Sequence, residues 1–276
     1  MIIDMRTSPH RAPDATCNPQ EDLSCVQIAV VVGDTGGHMG EPDSIETVLQ
    51  CVDEDPSRRV GFLGINPLHP GALDLLQQAI DSDIRGIALS PADQAYRPTH
   101  DDCLELLARC NESSTPVLIA NPRLFEPQSV LEFARPVLLD DVLRQMPSLR
   151  LIIGDLGHGW IDESLTLIAK HDQVYAEISG VVQRPWSLYS TLMSASERGQ
   201  LRKLFFGSGY PRETPASALE RIYTINSVRS GSQLPTIPRE SLRTFVERNS
   251  LACVGIELPQ SQSEPTPQLE ASNETQ

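Results

Sequence analysis

No stretch of this sequence approaches the roughly 18 uninterrupted apolar residues that a membrane-spanning helix needs. The start, MIIDMRTSPH, has neither the basic end nor the long apolar core of an export signal, so a cytoplasmic address and no membrane partner are expected. Positive charge is also short. Lys and Arg number 22 against 37 Asp and Glu, for a formal net charge of −15, and no local basic patch relieves a field that repels polyanions. No nucleic-acid partner is expected. The two basic pairs, Arg58-Arg59 and Arg202-Lys203, each precede an apolar run, where they read as solvated strand ends. The 6 cysteines, at 17, 25, 51, 103, 110 and 253, include no Cys-x-x-Cys pair and no histidine at zinc-finger spacing. A zinc knuckle and a disulfide framework are therefore not expected, and Cys103 and Cys110, seven apart in a helical stretch, read as core.

What is present is a recurring alternation. Short β-branched or apolar runs stand at Ile2–Asp4, Val26–Val32, Val60–Ile65, Ile84–Leu89, Pro116–Ile119, Leu149–Ile153, Val174–Ile178 and Lys203–Phe206. Several lack polar alternation, which marks strands buried on both faces. Helical patterns lie between most of them. Ser44–Cys51 opens behind Asp43 with Glu46 three residues on, Thr99–Cys110 pairs Thr99 with Asp102, and Thr214 precedes Pro215, all helix-start signals. Eight strands alternating with helices over some 250 of the 276 residues match a (β/α)8 TIM barrel, in the α/β class. The barrel is expected over residues 1–256, closed by one helix running from Arg239 through SLRTFVERNSLACVGI. Residues 257–276, rich in Pro, Ser, Gln, Glu and Thr, are expected to be a disordered tail. Two stretches, 7–25 and 181–199, depart from the regular plan; the second is expected to be helical only in its latter half, and both belong at the mouth.

In a barrel the chemistry sits just past the carboxyl ends of the strands. Those positions here are Asp4–Ser8, Gly33–His38, Asn66, Ser90, Ala120-Asn121, Asp155–His158, Ser179 and Ser208–Arg212, and few are ionisable. The glycine-rich GDTGGHMG at 33–40 fits neither a P-loop nor a dinucleotide fingerprint and reads as a mouth loop, and Gly207-Ser208-Gly209 is not a nucleophile elbow. Asp155 and His158, in LIIGDLGHGW, are an acid and a histidine set together just past a buried strand. They are the candidate catalytic pair, with Arg6, Ser8, Asn66, Ser179 and Ser208 as candidate binding residues.

Read in order, VGFLGINP, RGIALSP, PVLIANP, LIIGDLGHGW, VYAEISG, LFFGSGYP and the closing NSLACVGI resemble the amidohydrolase-related family. That family comprises metal-dependent barrel hydrolases and decarboxylases of the aminocarboxymuconate semialdehyde decarboxylase type. The resemblance implies a divalent metal held by an Asp-x-His-x-His motif after the first strand, histidines after the fifth and sixth, and an aspartate after the eighth. The matching positions hold Arg6 and Ser8, Ala120, Asp155 and Gly209, while His158 stands where the family has a glycine. Arginine stays protonated and offers a metal no lone pair.

The sequence thus points to a metal-free, cofactor-free and catalytically degenerate barrel that binds a small molecule at its mouth or a protein partner. The alternative is a hydrolase, lactonase or decarboxylase-like enzyme using metal-independent acid–base chemistry, with Asp155 as base and His158 as acid or orienting group. An Arg6–Asp155 salt bridge is expected to span the place of the missing ion. Oligomeric state, including a homo-oligomer, is left open by the sequence.

Overall fold

Buried parallel strands need a helix or a neighbouring strand on every side, and this chain supplies both in turn. The computed structural model describes residues 1–9, 22–36, 42–120, 125 and 127–257. Its strands are β1 (Ile3–Thr7), β2 (Ile28–Val32), β3 (Arg59–Gly64), β4 (Ile84–Leu89), β5 (Val117–Ile119), β6 (Leu151–Ile153), β7 (Val174–Glu177) and β8 (Leu204–Phe205). They pair in parallel in chain order. The ring closes where Met5 N–H donates to Phe206 C=O, Gly209 N–H to Arg6 C=O and Ser8 N–H to Tyr210 C=O, each at 2.9 Å. The outer layer includes α1 (Ile45–Asp53), α2 (Ala72–Asp81), α3 (Asp101–Glu112), α4 (Leu139–Gln145) and α5 (Ile161–Lys170). It continues with α6 (Ser179–Val182), α7 (Pro185–Glu197), α8 (Pro215–Tyr223) and α9 (Arg239–Val246), and a last short helix, α10 (Ser250–Cys253), packs on the barrel interior. This is a TIM barrel, as the alternation implied.

Strand residues divide between two apolar cores. Val30, Phe62, Leu118, Ile152 and Phe205 fill the barrel together with Leu251 of α10, which plugs the interior. Their strand neighbours, among them Leu63, Ile87, Ile119 and Ile153, pack against the helices. Both sets being apolar is why these runs lack alternation.

Several boundaries differ from the sequence reading for identifiable reasons. β1 runs three residues past Asp4, because Thr7 Oγ1 donates to Val30 C=O at 2.8 Å and the register slips between Asp4 and Thr7. The cap of α1 is Ser44, which accepts from Thr47 N–H, and that of α3 is His100, which accepts from Asp102 N–H. Thr214 caps α8 as expected. Helix fills nearly all of 179–197, and the closing helix breaks into α9 and α10, Asn249 capping the second. Arg59 is 8% exposed and ion-paired with Glu54 at 2.6 Å, and Lys203 lies over the Tyr175 ring at 4.8 Å, so neither is a plain solvated strand end. The expected tail lies outside the described residues beyond Glu257, and so do residues 10–21 of the first long loop.

The seam between β8 and β1 contains a fully buried acid. Asp4 Oδ1 accepts from Ser208 N–H at 3.0 Å and Arg6 N–H at 3.1 Å, and Oδ2 accepts from the Ser208 hydroxyl at 2.5 Å. Burial raises its pKa from 3.8 to about 6, against the lowering effect of those same hydrogen bonds. Asp4→Ala would strand these donors in a dry place, and the expected loss is about 3 kcal/mol of stability. Urea denaturation checks it: Asp4→Asn should fall between wild type and alanine, and a wild-type midpoint for the alanine variant would show that the seam does not need the acid.

Candidate functional site

At the mouth, β6 ends in a turn that L-residues seldom adopt. Asp155, Leu156, Gly157 and His158 all have positive φ, at 50°, 52°, 67° and 54°. Only one is glycine, and left-handed backbone costs an ordinary residue about 1–2 kcal/mol. Tertiary contacts hold the turn in place. Asp155 N–H donates to Glu177 Oε1 at 2.6 Å, and Ser164 Oγ of α5 donates to Leu156 C=O at 2.9 Å. Glu177, at the end of β7, also accepts Ser179 N–H on Oε2 at 2.6 Å. The Ser179 hydroxyl lies 2.7 Å from Asp155 Oδ1 and 3.0 Å from Glu177 Oε1, joining the two acids. Both carboxyls are almost completely buried. Glu177 is pushed up from 4.5 to about 7, first by burial and next by the Asp155 charge, with the Arg6 charge and the two N–H donors opposing.

The residues singled out in the sequence are only partly convergent. Asp155 and Ser179 form one hydrogen-bonded unit. His158 closes the left-handed turn, its ring 5.4 Å from Phe125 in an edge-on contact, and Trp160 meets the same Phe125 at 6.3 Å. Arg6 lies close to the acids, its Cβ and Glu177 Oε2 flanking Gly207. It makes no ion pair with Asp155, so the expected bridge is not formed. The Glu177 oxygens and Asp155 Oδ1 accept instead from backbone amides and the Ser179 hydroxyl. Arg6 Nη1 is instead buried with no hydrogen-bond partner among the described residues. Ser8 and Ser208 belong to the β1–β8 seam, Ser208 accepting from Tyr210 N–H at 3.0 Å while donating to Asp4. Asn66 caps its own turn through Leu68 N–H at 3.0 Å. Asn121 and residues 37–41 of the glycine-rich loop lie outside the described residues.

A parallel eight-stranded barrel with a mouth built at the ends of β1, β6, β7 and β8 has known counterparts. The amidohydrolase family model matches residues 9–252. The chain belongs to the amidohydrolase family. No curated protein matches the sequence. Among solved structures it is similar to an uncharacterized TIM-barrel protein from Bordetella bronchiseptica, at 18% identity and a TM-score of 0.72, covering 92% of this chain and 99% of that one. It is also similar to a probable 2-pyrone-4,6-dicarboxylic acid hydrolase from Acinetobacter baumannii with citric acid bound, at 15% identity and TM-score 0.64, covering 92% and 99%. A 2,6-dihydroxybenzoate decarboxylase from Rhizobium aligns at 12% identity and TM-score 0.65, covering 92% and 98%. At these identities the likeness speaks for the fold.

The divalent metal that the family resemblance implies would draw on the ends of β1, β5, β6 and β8. Among the described residues no group of three His, Cys, Asp or Glu is placed to hold a metal ion. Asp155 and Glu177 are the two acids that meet at the mouth, and both Glu177 oxygens already accept amide N–H groups. This donor set does not fit a hydrolytic zinc, which takes three protein ligands and an open position.

Sequence reasoning missed Glu177 because it sits inside a run counted as apolar strand, and it placed Asp4 at a strand end without making it a site residue. The usable signal was the acid itself: a carboxylate within an otherwise buried run needs a partner. Burial also sets a pH dependence. With its folded pKa raised from 4.5 to about 7, Glu177 holds its proton more tightly in the native state than in the unfolded chain. Its contribution to stability is complete below the unfolded value and is lost as pH rises through the folded one. The melting temperature should therefore fall on going from mildly acidic to mildly alkaline buffer, and Glu177→Gln should flatten that slope. An unchanged slope in the variant would mean the carboxyl is ionised throughout.

Proposed function

We propose that this amidohydrolase-family barrel works without the family's metal and binds a small organic anion at its mouth. Arg6 is the observation that carries the reading. A guanidinium stands at a position where the resemblance puts a metal-ligating histidine, and its Nη1 is buried with no hydrogen-bond partner among the described residues. A permanently protonated, planar donor can receive a carboxylate where a dication otherwise would. Among the described residues no acid forms an ion pair with it; the Glu177 oxygens and Asp155 Oδ1 accept from Asp155 N–H, Ser179 N–H and the Ser179 hydroxyl. Phe125, His158 and Trp160 add an aromatic wall suited to a planar or apolar ligand body. The names of the solved relatives lend support to the ligand class, one being seen with citric acid and others being decarboxylases of 2,6-dihydroxybenzoate.

A second reading, acid–base catalysis without metal, draws on one observation. Glu177, pushed up to about 7 beside Asp155, holds a proton near neutral pH. In that reading Asp155 is the base and His158 the acid or orienting group, as the sequence suggested, with Glu177 tuning the pair.

A joint experiment separates the readings. Elemental analysis of the purified protein should find far less than one zinc, manganese or iron per chain, and a chelator should leave the melting temperature unchanged. Calorimetric titration with citrate, benzoates and lactones, with product monitored in parallel, should show saturable binding of a carboxylate without turnover. Arg6→Met should weaken that binding by about tenfold to a hundredfold, the scale of a lost charged hydrogen bond. Turnover abolished by Asp155→Asn would establish the second reading, and stoichiometric metal would overturn both.

A further inference from the structure

The four consecutive positive φ angles at 155–158 include Asp, Leu and His, residues that do not choose this backbone unaided. What they share is an anchor: Glu177 reaches from the end of β7 and takes Asp155 N–H on one oxygen and Ser179 N–H on the other, each at 2.6 Å. Neighbouring glycines record how closely the parts meet. A Cβ on Gly180 would lie 2.7 Å from both the Asp155 Cβ and its carbonyl oxygen, and one on Gly207 would lie 2.6 Å from Glu177 Oε2. A Cβ on Gly154 would approach Ile119 C=O to 2.6 Å. The turn is thus packed tightly against its neighbours at Gly154 and Gly180, and Glu177 Oε2 occupies the room that Gly207 leaves.

We propose that Glu177 is a positioning residue: its two-oxygen clamp on Asp155 N–H and Ser179 N–H fixes the left-handed turn 155–158 and so places Asp155, His158 and Trp160 at the mouth. Its consequence for ligand binding rests on the function proposed above, whereas the clamp itself does not. Two acceptors on one planar group are required, because the donors lie on different elements, the turn after β6 and the start of α6. Glutamine keeps one acceptor. Alanine keeps none, and aspartate is a methylene too short to reach both donors.

The chain has 2 tryptophans, Trp160 just past the turn and Trp186, which is 60% exposed on α7. In a Trp186→Phe background Trp160 is the sole emitter and reports on the turn without any ligand. Trp160 N–H donates to Gly157 C=O at 3.2 Å, so a shifted turn moves it. Glu177→Ala in this background should move Trp160 emission to longer wavelength and increase its quenching by acrylamide, with Glu177→Gln intermediate and far-UV circular dichroism unchanged. Should the alanine variant fail to fold, Gly207→Ala tests the same clamp from the other side, since the new methyl displaces the carboxylate while Glu177 remains. An unchanged Trp160 spectrum in a folded Glu177→Ala or Gly207→Ala protein overturns the proposal. Citrate titration of the same proteins keeps the two ideas apart. A Trp160 shift with no citrate binding to the parent leaves the clamp and removes citrate as a ligand; Arg6-dependent citrate binding with no Trp160 shift does the reverse.

Discussion

Closing a parallel barrel requires the last strand to meet the first, and here the last strand is two residues long. Leu204 and Phe205 pair with β7, but the join to β1 is made by three separated amide contacts and by Asp4. This buried carboxylate takes an amide and a hydroxyl from Ser208, more than two hundred residues away, and the amide of Arg6 on its own strand. The seam positions the backbone of Arg6, Ser8 and Ser208 at once. A charge in a dry place is costly, and the three donors offset that cost without cancelling it, which is why the pKa remains raised at about 6.

The β6–β7 side of the barrel uses the same device. Glu177 accepts two amides and faces the Ser179 hydroxyl, just as Asp4 accepts two amides and the Ser208 hydroxyl. In each case an acid inside one strand receives an N–H from two or three residues beyond a neighbouring strand, and a serine completes the set. Strand ends in a parallel barrel present amides that have no further ladder partner, and a buried carboxylate with two acceptor oxygens satisfies them in pairs. An acid at a barrel mouth therefore has a structural use that competes with catalysis for the same lone pairs.

That competition explains what the sequence did and did not show. Strand existence was legible because β2 through β6 are apolar on both faces, and the implied boundaries for β4 match the structure at both ends. β1 was shortened because Arg6 and Thr7 look like loop residues until the seam pairs them. Caps slipped by one residue where two polar candidates stood side by side, Asp43 with Ser44 and Thr99 with His100. Ser208 looked like a ligand contact, since its partner is fixed only by closure of the ring. The turn at 155–158 carried no glycine signature at three of its four positions, so its left-handed path is a product of tertiary contacts. Asp155 and Ser179 emerged as site residues because each directly follows a recognisable strand. Glu177, which joins them, did not, since it was counted within one.

Arg6 is where these constraints meet. Its charge acts on the buried Glu177 carboxyl, and an ion pair would be the usual outcome. Here the Glu177 oxygens instead accept the Asp155 and Ser179 amides, donors that would otherwise be unsatisfied in a buried setting. Backbone geometry thus outcompetes the side-chain pair, and the positive charge is left to act at longer range, where it lowers the Glu177 pKa without contacting it. The mouth consequently holds a buried Arg6 Nη1 with no partner among the described residues, beside acids that already accept backbone and serine donors. On the function proposed above, a ligand that brings its own acceptor oxygens meets that donor without displacing an existing hydrogen bond.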